Sequence, residues 1–340
     1  MANKANDDGY WIPRVTPLPP LYNIYDNLYQ SEFNFIETGF SVIQMGYSLK
    51  DKNKKVFLKF IKNIEGRKEQ ISQEICLPKQ LSHNHILNYE YTFNYKQYIC
   101  VVTPAMPFGT LQDILAQSIR QTHKPINESL CKDIIYQLLL AVNYLHKLNI
   151  IHRDIKPPNV FVSNWLPDKI KILLSDFGIA TQCKDDIPVK GYIGSYEYIP
   201  PEVYQHKCFS KAGDIWASGI LLFYLLTGRL PFPKSCCLKE LKKCVKEGKL
   251  NMTILLDLHI SFDCRHLINE MLQYESVDRI TAEGALKHPW FNSVAGNYNL
   301  EPQNNGTNDN GKINSSNYEN YLQNEIDPSN QIIKNEISDI

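Results

Sequence analysis

Two kinds of periodicity divide the chain. Between residues 29 and 95, β-branched and aromatic residues gather in short runs, Phe33 to Ile36, Phe40 to Met45 and Val56 to Ile61, the pattern expected of strands. One helical stretch, from about Arg67 to Leu81, interrupts them. After residue 110 the balance reverses. Leu130, Ile134, Leu138, Val142 and Leu145 recur at helical spacing, and Asn127 stands where a helix would be capped. The longest apolar run, Ile215 to Leu226, has 12 residues, too few to span a bilayer core of ~30 Å and suited to a buried helix. Pro104 to Gly109 punctuates the join. The pattern therefore predicts a small sheet-rich lobe over 29–103, a connector over 104–109 and a larger helical lobe over 110–291.

The two ends differ from this middle. Residues 1–28 carry Pro13, Pro17, Pro19 and Pro20 without clear periodicity, which reads as an N-terminal arm. From Asn292 the chain turns polar and Asn-rich, with too few apolar groups to offset ordering entropy, so 292–340 is expected to be a disordered tail.

Composition narrows the partners. Of 340 residues, 43% are hydrophobic, enough for a sizeable core, and 36 Lys plus Arg balance 36 Asp plus Glu. A neutral chain removes the electrostatic case for nucleic acid or an anionic membrane as main partner. The nine cysteines are scattered, with no C-x-x-C spacing, and the N-terminus lacks a signal-peptide run. A reduced compartment, cytoplasmic and also compatible with the nucleus, is the expectation.

Two polar clusters carry the chemistry. His152-Arg153-Asp154-Ile155-Lys156-Pro157-Pro158-Asn159 lies between the apolar runs Asn149 to Ile151 and Val160 to Val162, so it is predicted to be a loop. Asp154, Lys156 and Asn159 put a base, a cation and a metal-binding amide in one turn, as transfer of a charged phosphoryl group requires. Asp176-Phe177-Gly178 follows the apolar run Ile170 to Leu174, which sets a carboxylate at a strand end. Alone, Asp-Phe-Gly is a weak signal. The ordered pair, 22 residues apart, is a strong one.

These clusters resemble the eukaryotic protein kinase family, Ser/Thr branch, and further matches extend the resemblance over about 29–291. Val56-Phe57-Leu58-Lys59 is similar to the strand bearing the phosphate-binding Lys, and Glu74 to its helix partner. Gly194 to Glu202 resembles the segment closing the activation region, Asp214 to Gly219 the start of the buried central helix, and Asp278-Arg279 the approach to the last helix. The resemblance implies an α+β, bilobal protein kinase fold with ATP and Mg²⁺ as cofactors and proteins with Ser/Thr acceptors as substrates. It implies Asp154 as base and Lys156 as the cation beside it, with Asn159 and Asp176 on Mg²⁺. The nucleotide would be held by Ile36, Gly39, Ile43, Lys59, Glu74, Thr103, Pro104 and Met106. Lys156 is the mark of the Ser/Thr branch. Glu202 with Arg279, Asp214, His152 and Phe177 are implied to be structural.

The chain also departs from the family pattern. Its phosphate-covering loop reads Ile36-Glu37-Thr38-Gly39-Phe40-Ser41-Val42-Ile43, with the signature glycines lost or displaced, which predicts weaker ATP binding. Pro78 lies four residues after Glu74 and is expected to end or kink the helix. Thr103 implies an accessible pocket behind adenine, and Met106 is expected to keep its N–H and C=O for the base. Gly191 stands where many kinases carry a phosphorylated Thr, and no Ser or Thr lies between Gln182 and Gly194. Tyr192 and Thr181 remain as modification candidates, and Asp185 and Asp186 as built-in negative charge. Thr110, Pro158 and Tyr224 occupy positions that are acidic in kinases preferring basic substrates, so no strong Arg preference is expected. The eroded loop and Pro78 keep a second class open, a pseudokinase acting as scaffold or allosteric partner.

Overall fold

The computed structural model describes residues 19, 23–37, 41–63, 68–166, 169–183, 187–191, 194–233 and 237–298. In chain order the elements are β1 (Ile24–Tyr25), β2 (Tyr29–Glu37), β3 (Ser41–Ser48), β4 (Lys55–Lys62), α1 (Lys68–Gln80), β5 (Tyr91–Tyr95) and β6 (Tyr98–Pro104). There follow α2 (Leu111–Thr122), α3 (Glu128–Lys147), β7 (Ile150–Ile151), β8 (Val160–Leu166), β9 (Lys169–Leu174), β10 (Thr181–Gln182) and β11 (Val189–Lys190). The last are α4 (Pro201–His206), β12 (Cys208–Phe209), α5 (Lys211–Thr227), α6 (Leu238–Lys246), α7 (Ile254–Asp257), α8 (Phe262–Met271), α9 (Ala282–Leu286) and α10 (Ala295–Tyr298). Among the described residues, contacts divide the chain into a sheet unit, which the chain leaves after Cys76, re-enters at Tyr89 and leaves again after Ala105, and a helical unit of Leu77–Asn88 and the described residues from Met106 onward.

The sheet unit is one antiparallel sheet of six strands in the order β1-β2-β3-β4-β6-β5. Strand alternation sends Val56, Leu58 and Phe60 of β4 to one face, where they pack with Tyr25, Tyr98, Cys100 and Val102. The opposite face sends Ile61 against Ile71 and Ile75 of α1. Lys59 shares that second face by register.

The sheet begins inside the stretch expected to be an arm. Tyr25, 1% exposed, pairs with Tyr29 and stacks edge-on to Tyr95 at 4.9 Å. The turn works because Asp26 and Asn27 both take φ 52°, a left-handed conformation that these side chains tolerate. The Pro19 carbonyl accepts a hydrogen bond from Gln44 Nε2 at 2.8 Å, fixing the chain earlier still.

The helical unit is built on α3 and α5. Asn127 caps α3 by accepting a hydrogen bond from the Leu130 N–H at 2.9 Å, and α3 packs against α5, α9 and β9. Nearly every residue of α5 from Gly213 onward is buried. No helix among the described residues is long and apolar enough to cross a membrane.

Two expectations about breakpoints are corrected. α1 continues past Pro78 to Gln80. Proline there removes one hydrogen bond in the last turn, and the Leu81 N–H closes the end on the Pro78 carbonyl at 3.3 Å. Order also extends beyond residue 291: Tyr298 at the end of α10 donates to Asp133 Oδ1 and packs 5.2 Å from the Tyr136 ring, because its aromatic ring has a mostly buried helix to cover. Residues 299–340, the rest of the expected tail, lie outside the described residues.

Candidate active site

The loop between β7 and β8 is fixed from beneath by one carboxylate. Asp214, at the start of α5 and 0% exposed, accepts hydrogen bonds from the backbone N–H groups of His152 and Arg153, each at 2.9 Å. His146 Nε2 of α3 lies 2.9 Å from the same Asp214 side chain. Arg153 takes φ 68°, a costly backbone that persists because Asp214 holds it. The 3₁₀ turn Pro157–Asn159 then sets Asn159 at the entry to β8.

Within this loop the predicted residues converge. Asp154 Oδ2 accepts from Asn159 Nδ2 at 2.9 Å and pairs with Lys156 Nζ at 2.8 Å. Asp154 Oδ1 accepts from Ser195 N at 3.2 Å and Ser195 Oγ at 2.9 Å. Lys156 Nζ also donates to Ser195 Oγ at 2.7 Å. The sequence did not reveal the Ser195 hydroxyl on Asp154, since nothing local links residues 41 apart.

Asp176 follows β9 with φ 63°, a second non-glycine residue in the left-handed region. It is brought beside Asn159 by Ser175, whose N–H and Oγ both donate to the Asn159 carbonyl at 2.9 Å. His152 Nε2 meets the Ser175 carbonyl at 2.9 Å, and the rings of His152 and Phe177 lie 5.0 Å apart, both residues fully buried.

The oxygen donors here suit a small hard cation. Asn159 commits its amide nitrogen to the carbonyl and carboxylate of Asp154, which leaves its side-chain oxygen as the atom able to meet a cation. Among the described residues no group of three or more His, Cys, Asp or Glu forms a cage. One carboxylate and one amide fit Mg²⁺, which commonly takes its remaining ligands from water and phosphate.

In the sheet unit, Lys59 of β4 donates to Glu74 Oε1 of α1, with 27% and 12% of the two side chains exposed. Register puts Ile43 of β3 opposite Lys59, Ile36 of β2 opposite Ile43, and Thr103 of β6 opposite Phe57. Thr103 is buried, and Pro104 ends β6 opposite Val56. Gly39 lies outside the described residues, as does Thr38. In the helical unit Met106 is buried, and its carbonyl accepts from the Gly109 N–H at 3.2 Å, so it is not wholly reserved for a ligand.

The segment after β10 is held by its own contacts. β11 pairs with β12, and the Gly191 N–H donates to the Lys207 carbonyl at 2.8 Å. Arg153 Nε donates to the Ile179 carbonyl at 2.6 Å, and burial pulls its guanidinium below the usual value, opposed by the Asp214 charge. Gly194 sits at φ 111° with the Arg153 carbonyl 2.7 Å from where a Cβ would stand, so only glycine fits. Glu202 binds Arg279 through both carboxylate oxygens, at 2.9 and 3.1 Å. Asp185, Asp186 and Tyr192 lie outside the described residues, whereas Thr181 starts β10.

A family profile described as protein kinase domain matches residues 39–291. The chain belongs to the protein kinase family. ATP and Mg²⁺ are that family's standard nucleotide and metal. Kinases similar to this chain include the calcium/calmodulin-dependent protein kinase cmkA of Emericella nidulans, 33% identical over 238 residues, which are 70% of this chain and 55% of that protein. Calcium-dependent protein kinase 4 of Plasmodium falciparum is 33% identical over 233 residues, 68% of this chain and 43% of its own length. Calcium-dependent protein kinase 5 of the same organism is 31% identical over 242 residues, 70% of this chain and 41% of its own. The chain thus spans about half the length of these kinase relatives. Its sheet-rich first part and helical second part have the mixed α+β architecture of the bilobal kinase fold.

Proposed function

We propose that this chain is an ATP-dependent protein serine/threonine kinase. The observation that carries the reading is the Asp154 carboxylate, held at once by Lys156, Asn159 and Ser195. Its roughly four lone-pair sites are filled by these partners. An incoming hydroxyl therefore takes the place of the Ser195 hydroxyl, which can rotate away. Asp154 then orients the substrate oxygen and accepts its proton. Lys156 stays beside both and offsets negative charge building up at the reacting oxygens.

Asn159 and Asp176 would hold Mg²⁺, and Lys59, steadied by Glu74, would grip the α- and β-phosphates. When bound, the ion supplies charge neutralisation on the phosphate oxygens. The family resemblance assigns Ile36, Gly39, Ile43, Thr103, Pro104 and Met106 to the nucleotide as well. The intact Lys59–Glu74 pair and a helix that runs past Pro78 weigh against a pseudokinase. A reducing, cytoplasmic or nuclear setting is proposed with it, in keeping with nine scattered cysteines that show no C-x-x-C spacing.

The test is phosphate transfer from Mg-ATP by the purified chain to itself and to generic proteins, beside Asp154→Asn. Transfer should fall by about 10²- to 10⁴-fold in the variant, with ATP still raising Tm. Labelled residues should be Ser and Thr. Transfer that survives Asp154→Asn, or labelling confined to Tyr, would overturn the assignment.

A further inference from the structure

The helical unit carries a concentrated positive surface that phosphate transfer itself does not use. α6 has the sequence Leu-Lys-Glu-Leu-Lys-Lys-Cys-Val-Lys, four lysines in nine residues. Lys239, Lys242, Lys243 and Lys246 recur three and four residues apart, which lays them along one stripe, while Leu241 and Val245 face inward and are buried. With Lys207, Tyr204, the half-exposed Leu238 and one acid, Glu247, these lysines line a groove of about 710 Å³.

The local acids do little to neutralise it. Glu240 turns back to the helix start, where it accepts from the Cys237 N–H at 3.2 Å. Glu247 is engaged by Lys249 at 2.7 Å, leaving only a 3.9 Å approach to Lys243. Like charges packed along a helix repel one another, and an anionic ligand relieves that repulsion.

The groove is also connected to the reacting centre inside the same unit. Ser195 touches Asp154, the next residue is Tyr196, and Lys242 Nζ sits 5.5 Å from the centre of the Tyr196 ring. Tyr204, which lines the groove, donates to the Tyr196 carbonyl at 2.7 Å. At roughly 3.3 Å per extended residue, five residues of a peptide with its hydroxyl at Asp154 extend about 16 Å, past Ser195 and Tyr196 toward the stripe.

We infer that this groove docks an acidic segment of the kinase's protein substrates, selecting acceptors that have Asp and Glu about five or more residues away. The inference rests on the kinase reading above and names the substrate class for the same site. A protein is favoured over a nucleic acid because Leu238 and the ring of Tyr196 add apolar contact beside the lysines.

The experiment uses the full chain and two fluorescent peptides, each with one serine, one followed and preceded by Asp/Glu runs and one neutral. Anisotropy measures binding without turnover, so it reads the groove even if phosphate transfer fails. The variant Lys239→Glu/Lys243→Glu/Lys246→Glu should weaken acidic-peptide binding by roughly tenfold or more, the effect weakening in high salt. KM for that peptide should rise with kcat unchanged, and the neutral peptide should be phosphorylated as before. Lys→Gln at the same positions should give an intermediate loss. Equal acidic-peptide affinity in wild type and variant would overturn the inference. So would tighter wild-type binding to duplex DNA or to phosphatidylserine vesicles than to the acidic peptide.

Discussion

Lys59–Glu74 in the sheet unit and Arg279–Glu202 in the helical unit are both ion pairs between residues apart in sequence, and they are built differently. In the sheet unit Lys59 meets a single oxygen of Glu74, and 27% of the lysine side chain is exposed. In the helical unit Arg279 is 0% exposed in its side chain and uses its whole fork: two bonds to Glu202 and one each to the carbonyls of Ala212 at 2.8 Å, Gln273 at 3.1 Å and Tyr274 at 3.4 Å. Its guanidinium also lies 5.1 Å from the Trp216 ring. A flexible point charge with exposed surface suits a ligand that must come and go, and a desolvated fork suits a permanent joint. Charge complementarity is common to both, and the difference in burial sets them apart.

This contrast is open to direct attack. Arg279→Ala takes the arginine away from Glu202 and from three carbonyls in a dry setting and should cost about 3–5 kcal/mol, read as a fall in denaturant midpoint. A loss below about 1 kcal/mol would mean that the joint is dispensable. The next effect is one of pH. His83 stacks on Tyr144 at 4.9 Å, and burial, with His85 nearby, lowers its pKa from 6.5 to about 4. The unfolded chain then binds a proton that the folded one refuses, so stability is full above pH 6.5 and declines as pH falls toward 4, by up to about 3 kcal/mol. His83→Gln should flatten that part of the pH–Tm curve. Lys59→Met should have the smallest stability cost, about 1 kcal/mol or less, with loss of ATP-dependent phosphate transfer. If Lys59→Met unfolds the sheet unit instead, the distinction between the pairs collapses.

The α+β architecture and the kinase family were legible in the chain because they rest on periodicity and on contiguous motifs. β4 and the helices α3 and α5 follow directly from where Val56, Ile134 and Ile220 stand in their runs. Asp154, Lys156 and Asn159 share one turn, so their meeting needs no long-range pairing to foresee. β1 was missed because two residues have no period, and its signal was the turn pair Asp26-Asn27. The course of α1 past Pro78 depends on position in the last turn, which residue type alone does not reveal. Ser195 on Asp154, His146 on Asp214 and Tyr298 on Asp133 are meetings between residues 41, 68 and 165 apart. Only tertiary packing brings such groups together, and no local pattern encodes it.

The Asp214 carboxylate has a consequence for how the molecule acquires activity. It draws the N–H groups of residues 152 and 153 across a separation of 62 and 61 residues while also meeting α3 through His146. Closing a loop of that length is entropically unfavourable until the helices at its ends have packed. The backbone geometry around the proposed base therefore has no foldon of its own: it arises in the cooperative step that docks α5 on α3 and disappears with it.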